Sequence, residues 1–276
     1  MKKYKLLSLL VVLVLQLSVN SAWSGALDPF AGQKGTLKIA GGTAHIPVIK
    51  EAAKLIMTAN PDIRITIAGG GSGVGIKQVG ESIIDIGNSG RKPTEQEIGT
   101  YNLHPVKWGI DGVGVVVNPD NPVTALSTQQ LQGIFAGTIT SWKELGGKDR
   151  SINIYDRDAA SGTRSVFWKK GLKKSEVSKK ANVVVSNGAM KTAIANDPYG
   201  IGFVSVGHID ASVAPVSLDG VAPTLDNVKS GKYPVARGLY SCTKGEPSGL
   251  AALLFDFLHS PEGRKIVEEK GFISVE

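Results

Sequence analysis

The stretch Ile63-Arg64-Ile65-Thr66-Ile67-Ala68-Gly69-Gly70-Gly71-Ser72-Gly73-Val74-Gly75-Ile76-Lys77-Gln78 decides the reading of the fold. Ile63, Ile65 and Ile67 alternate with Arg64 and Thr66, the period of a strand with one buried face. The run passes straight into glycines and a serine, and then into helix-compatible residues as far as Ile83. Strand, polar loop and helix in that order form the unit of an α/β protein. The same unit stands just before it. Thr36 to Ala40 is strand-like, Gly41-Gly42-Thr43 opens a helix with Pro47 in its first turn, and Val48, Ala52, Leu55 and Ile56 share one helical face until Asn60-Pro61 stops it. Asp85 to Arg91 supplies a third strand and its loop.

Further along, the grammar repeats without repeating the letters. Ser151 to Tyr155 is strand-like, Arg157 to Thr163 a polar loop, and Arg164 to Leu172 a helix; Val183 to Val185, Ser186-Asn187-Gly188, Ala189 to Ala195 and Ile201 to Val206 give strand, loop, helix and strand. Two α/β lobes are therefore expected. Gly109 to Asn118, with its Val-Gly-Val-Val-Val centre, reads as a buried strand that crosses from one lobe to the other, and the residues after Val206 are expected to cross back. This puts 27–112 plus about 213–276 in one lobe and 113–212 in the second. Helices are expected from Pro247 to His259 and from Pro261 to Glu269.

The ends and the composition bound the rest. Residues 1–26 read as a signal peptide: Lys2, Lys3 and Lys5, an apolar run from about Leu6 to Leu17, and a small-residue exit near Ala22 to Ala26. The apolar run is shorter than a spanning helix needs, and an uncleaved anchor is the alternative. In the full chain of 276 residues, 31 basic and 24 acidic side chains give +7. Without residues 1–26 the balance is 28 against 24, or +4, suited to a small anion and too weak to argue for nucleic acid. A hydrophobic share of 42% and mean hydropathy near zero exclude disordered, collagen-like and polytopic membrane classes. Cys242 is the only cysteine, so no intrachain disulfide forms, and a buried free thiol is its expected state. His45, His104, His208 and His259 lack metal-ligand spacing, and no cofactor is expected.

Chemistry concentrates where strands end and helices begin, because backbone N–H groups there lack helical partners and favour an anion. Thr43, Ser72, Ser161 and Thr163 put hydroxyls at those points in both lobes. Any one of them alone reads as a helix cap; the set reads as a ligand site. The glycine run carries no G-x-G-x-x-G, no G-x-x-x-x-G-K-[ST], and a serine one residue out of register for G-x-S-x-G. Neither Ser72 nor Ser161 has a histidine or carboxylate cluster close in sequence, so a nucleophilic enzyme such as a secreted phosphatase ranks below a binding protein. Arg157 is the permanently charged donor expected in the cleft. Lys77, one turn into its helix, is expected to face solvent.

Gly71 to Gln78, Asp85 to Ser89, Asp111-Gly112-Val113 with Asn118-Pro119, Leu131 to Leu145, Arg157 to Arg164, Gly200 to Ser205, Lys244 to Pro247 and Phe257 to Gly263 together resemble the phosphate-binding proteins of ABC-type phosphate importers. The resemblance covers essentially the whole chain after the signal. It implies the type 2 periplasmic-binding fold: two α/β lobes joined by crossing hinge strands, with the ligand in the cleft between them. It also implies that Ser72, Arg157, Ser161, Gly162 and Thr163 contact phosphate, with Thr43 and backbone N–H groups from Ala44 onward. The implied setting is a periplasmic monomer that passes inorganic phosphate to an ABC-type permease and catalyses nothing; sulfate, molybdate or tungstate is the alternative cargo. Two positions depart from the family pattern, Gly90 for an acidic or hydroxyl residue and Ala44 for a hydroxyl. Asp111, and after it Asp85, is the candidate to supply the missing acceptor, with Asp85 expected instead to tie down turn backbone.

Overall fold

The computed structural model describes residues 24–276; the signal read at 1–26 lies outside the described residues except for its last three. A helical turn at Ser24–Leu27 leads to β1 (Gly35–Gly41), a 3-10 turn at Thr43–His45 and α1 (Ile46–Ala59). Helix α1 buries Val48, Ile49, Ala52, Ala53 and Ile56, and ends at Asn60, whose side-chain amide donates to the Phe30 and Gln33 carbonyls. Strand β2 (Ile63–Gly70) runs parallel to β1, α2 (Ser72–Gly80) follows the glycine run, and β3 (Ile86–Ser89) lies parallel on the other side of β1. Gly41, at φ 122°, could not be replaced cheaply, since a Cβ there would collide with the Asn88 carbonyl and press on Gly75. That close approach seats α2 directly against β1 and β3.

Helix α3 (Glu95–Tyr101), capped by Thr94 and Glu97, leads into the long β4 (Leu103–Val117). The chain continues through β5 (Ala125–Leu126), α4 (Thr128–Ala136), β6 (Asn153–Arg157), α5 (Gly162–Val166), β7 (Asn182–Val184), α6 (Asn187–Asn196), β8 (Gly200–Ser205), β9 (Ala214–Leu218) and α7 (Leu225–Lys229). It closes with β10 (Ala236–Lys244), α8 (Gly249–His259), α9 (Pro261–Glu269) and β11 (Ile273–Ser274). The strand order is β2-β1-β3-β10-β4-β8-β6-β7. The helix expected at 164–172 is split into α5 and a π turn over Phe167–Gly171.

Hydrophobic burial, about 1.5–3 kcal/mol per large side chain, divides into two main centres. One gathers Ile39, Ile49, Ile56, Trp108, Leu254 and Phe257; the other gathers Val113 to Val117, Phe135, Phe167, Met190 and Phe203, with Phe167 stacked on Phe203 at 4.0 Å. Strand β4 joins them: its Leu103–Gly112 half pairs with β10, and Val113–Val117 pairs with β8 and β9. The sequence reading returned the chain to the first lobe after Val206, near residue 213. The core corrects this, because Val213, Val216, Leu218, Val228, Tyr233 and Val235 all pack in the second centre. Strand β9 stays beside β4 there, and the return is made by β10, antiparallel to β4 with Arg237 opposite Asp111.

Candidate functional site

The loops that follow β1, β2, β3 and β6 meet where the two lobes face one another. The Gly73 N–H donates to the Ala160 carbonyl at 3.0 Å, and a Cβ on Gly162 would overlap Ser72 Oγ. Thr43, Ala44, Ser72, Asp111, Arg157, Ser161, Gly162 and Thr163 are all buried. Ser72 and Gly162 are thus brought together from two loops. Ala44 contributes no polar side chain; it sits in the 3-10 turn beside Thr43.

The four hydroxyls share one arrangement. Ser72 Oγ accepts from the Gly90 N–H at 2.9 Å, and Ser161 Oγ, the cap of α5, accepts from the Arg164 N–H at 3.1 Å. Thr43 Oγ1 accepts from the Asn187 backbone N–H at 3.2 Å and from its Nδ2 at 3.0 Å. Thr163 Oγ1 accepts from Arg237 Nη1 at 2.9 Å. A hydroxyl has one proton and two lone pairs, and each of these has committed a lone pair while donating to no partner among the described residues. Four buried O–H donors are left without an acceptor among the described residues.

Arg157 adds to them. Its Nε and Nη2 donate to the Val184 and Val185 carbonyls, both at 3.1 Å, while its buried Nη1 has no partner. Burial pulls its pKa down to about 10, with Asp158 opposing, so the guanidinium stays charged at neutral pH. It forms no ion pair with Asp156, whose carboxylate is taken by Arg164 at 2.7 Å.

A second buried guanidinium, absent from the sequence reading, is Arg237. Nε and Nη2 donate to Asp111 Oδ2 at 2.9 and 2.7 Å, and Nη1 reaches the Gly90 carbonyl at 3.2 Å as well as Thr163. A Cβ on Gly90 would stand 2.6 Å from that Nη1, so the arginine occupies the space of the side chain missing at position 90. Asp111 is therefore no free carboxylate, as the sequence alone suggested, but half of a buried ion pair. Burial of its side chain raises the carboxyl pKa against the pull of Arg237, the Ser205 hydroxyl and the Val206 N–H; the last two stand near Oδ1, which makes no well-formed hydrogen bond. The signals for Arg237 and Asn187 were slight: one arginine in the apolar run Val235 to Leu239, and an asparagine in a loop of ordinary turn composition.

Other candidates fall into structural roles. His45 is wholly buried with its ring nitrogens 3.1 Å from the Gly42 and Tyr240 carbonyls, and burial, then Arg237, pushes its pKa down to about 3. Asp85 accepts the Lys38 N–H at 2.6 Å, so it holds the backbone of strand β1 rather than the turn expected from the sequence. Lys77 is exposed beside Glu81, and burial pushes the Cys242 thiol up to about 12. Among the described residues no group of three or more His, Cys, Asp or Glu side chains could hold a metal ion. A groove of about 950 Å³ between α1 and β2, lined by Lys50, Met57 and Ile67 among others, lies apart from these loops.

The model of the PBP superfamily domain matches residues 28–262. The phosphate-binding protein PstS of Bacillus subtilis is 39% identical over 244 residues, covering 87% of this chain and 81% of that protein. The phosphate-binding protein PstS of Borreliella burgdorferi is 28% identical, covering 87% and 90%. Among solved structures, a Clostridium perfringens substrate-binding protein with bound phosphate superposes with a TM-score of 0.83 at 31% identity, covering 88% of this chain and all of that one. An ABC-type phosphate transport receptor from Vibrio cholerae gives a TM-score of 0.69 at 32% identity, covering 87% and 100%. The matched span and the 39% identity show that the chain belongs to the PBP superfamily, in the family that includes the B. subtilis phosphate-binding protein.

Proposed function

We propose that this protein binds inorganic phosphate in the cleft between its lobes and delivers it to an ABC-type permease, as a monomer outside the inner membrane. The observation that carries the reading is the donor-rich cleft: the unspent protons of Thr43, Ser72, Ser161 and Thr163 and the unpartnered Arg157 Nη1 suit an anion with several oxygens. Against these donors stands one buried carboxylate, that of Asp111, whose Oδ1 makes no well-formed hydrogen bond and has the Ser205 hydroxyl and Val206 N–H beside it. It can accept the proton of hydrogen phosphate and repels fully ionised sulfate, the part that a side chain at position 90 would otherwise take. The kinship with phosphate-binding proteins supports the same cargo. Neither serine gives its proton to a base among the described residues, which supports binding over nucleophilic catalysis. Calorimetric titration of ligand-stripped protein with phosphate, sulfate, molybdate and arsenate tests the reading; heat with sulfate or molybdate and none with phosphate refutes it.

A further inference from the structure

We infer that Asn187 and Arg237 are positioning residues that aim the Thr43 and Thr163 hydroxyl protons at the anion only when the lobes are closed. The inference rests on the phosphate reading above. Thr43 stands on the loop after β1, yet its oxygen is held by Asn187 at the start of α6 in the other lobe. Thr163 stands in the second lobe, yet its oxygen is held by Arg237, on the return strand β10 and against Gly90 of the first. The two bonds are reciprocal, each spanning the cleft in the opposite sense.

A threonine hydroxyl turns freely about its Cβ–Oγ bond and spends its proton on any acceptor nearby, water included. An N–H fixed on its lone pair restricts where the proton can point. Asn187 is built for this: it is fully buried, both of its nitrogens serve Thr43, and its Oδ1 is anchored by the Ser205 N–H at 3.1 Å. Separating the lobes removes both N–H partners together and frees both hydroxyls to turn to water. The anion then meets correctly aimed donors only in the closed form, the differential contact that a ligand needs to drive closure. Arg237 is itself fixed by Asp111, so one buried ion pair holds both an acceptor and a donor of the cleft.

The test is a double-mutant cycle on the full chain with Asn187→Ala and Thr43→Val, reading inorganic phosphate affinity by calorimetry and release by stopped-flow fluorescence. Each single substitution is expected to weaken binding about ten- to a hundredfold, mostly through faster release, and the double is expected to bind no worse than the weaker single. Losses that multiply in the double, or wild-type affinity in Asn187→Ala, overturn the inference. If Asn187→Ala does not fold, hydrogen exchange at the Asn187 amide decides: phosphate should protect it in the parent protein and not in Thr43→Val, and equal protection in both overturns the inference. Failure of the parent protein to bind phosphate would instead refute the proposed cargo.

Discussion

Arg157→Ala removes the cleft's one guanidinium nitrogen without a protein partner. Arg157 is 2% exposed, and two carbonyls fix its Nε and Nη2 so that Nη1 is presented without further ordering cost. Truncating one member of a buried, hydrogen-bonded charge pair costs about 2 to 5 kcal/mol. At 1.36 kcal/mol per decade that is roughly thirtyfold to several thousandfold in phosphate affinity. The Val184 and Val185 carbonyls lose their donors too, so the ligand-free protein should unfold at a lower temperature, though still cooperatively. Arg157→Lys keeps the charge but cannot serve two carbonyls and an anion together, and should fall between the parent and the alanine variant. The assay is calorimetric titration of each folded variant with phosphate, with circular dichroism melts alongside. Parent-like affinity in folded Arg157→Ala would refute the placement of the anion.

Three further outcomes follow from the same geometry. Asp111→Asn should weaken phosphate binding and narrow the preference over sulfate, measured as a ratio of dissociation constants; an unchanged ratio would remove Asp111 as acceptor. Gly162→Ala should lower phosphate affinity while sparing the melting temperature of the ligand-free protein, because the added methyl displaces Ser72 Oγ from its bond to the Gly90 N–H only when the lobes meet; a drop in stability with affinity intact would contradict this. His45, with a folded pKa of about 3 against 6.5 unfolded, contributes stability that is complete above pH 6.5 and is lost as the pH falls toward 3, at about 1.4 kcal/mol per pH unit. Urea unfolding between pH 4 and 7 should show that slope reduced by about one proton in His45→Gln; an equal slope would mean the ring is already charged in the fold.

The lobes were legible because local pattern and tertiary fold agree there. Ile63, Ile65 and Ile67 do alternate along β2, the glycine run does open α2, and Pro261 to Glu269 is a helix with the bounds read from sequence. The return crossing was not, because Arg237 interrupts the apolar run of β10 and hides a central strand, while β9 stays in the second lobe by pairing with β4. Within the site, hydroxyls beside glycines were visible as sequence. What holds them was not, since the bonds from Asn187 to Thr43 and from Arg237 to Thr163 span 144 and 74 residues. The glycine at position 90 read as a lost ligand; the fold shows a guanidinium in its place, a substitution visible only in three dimensions.

The measurement that bears most directly on the central claim is the phosphate-to-sulfate affinity ratio at neutral pH in the stripped parent protein and in Asp111→Asn. A donor-rich cleft with one carboxylate acceptor predicts tight phosphate binding and sulfate binding weaker by several orders of magnitude at neutral pH, with the gap closing in Asp111→Asn. Sulfate binding as tightly as phosphate in the parent protein would contradict the account.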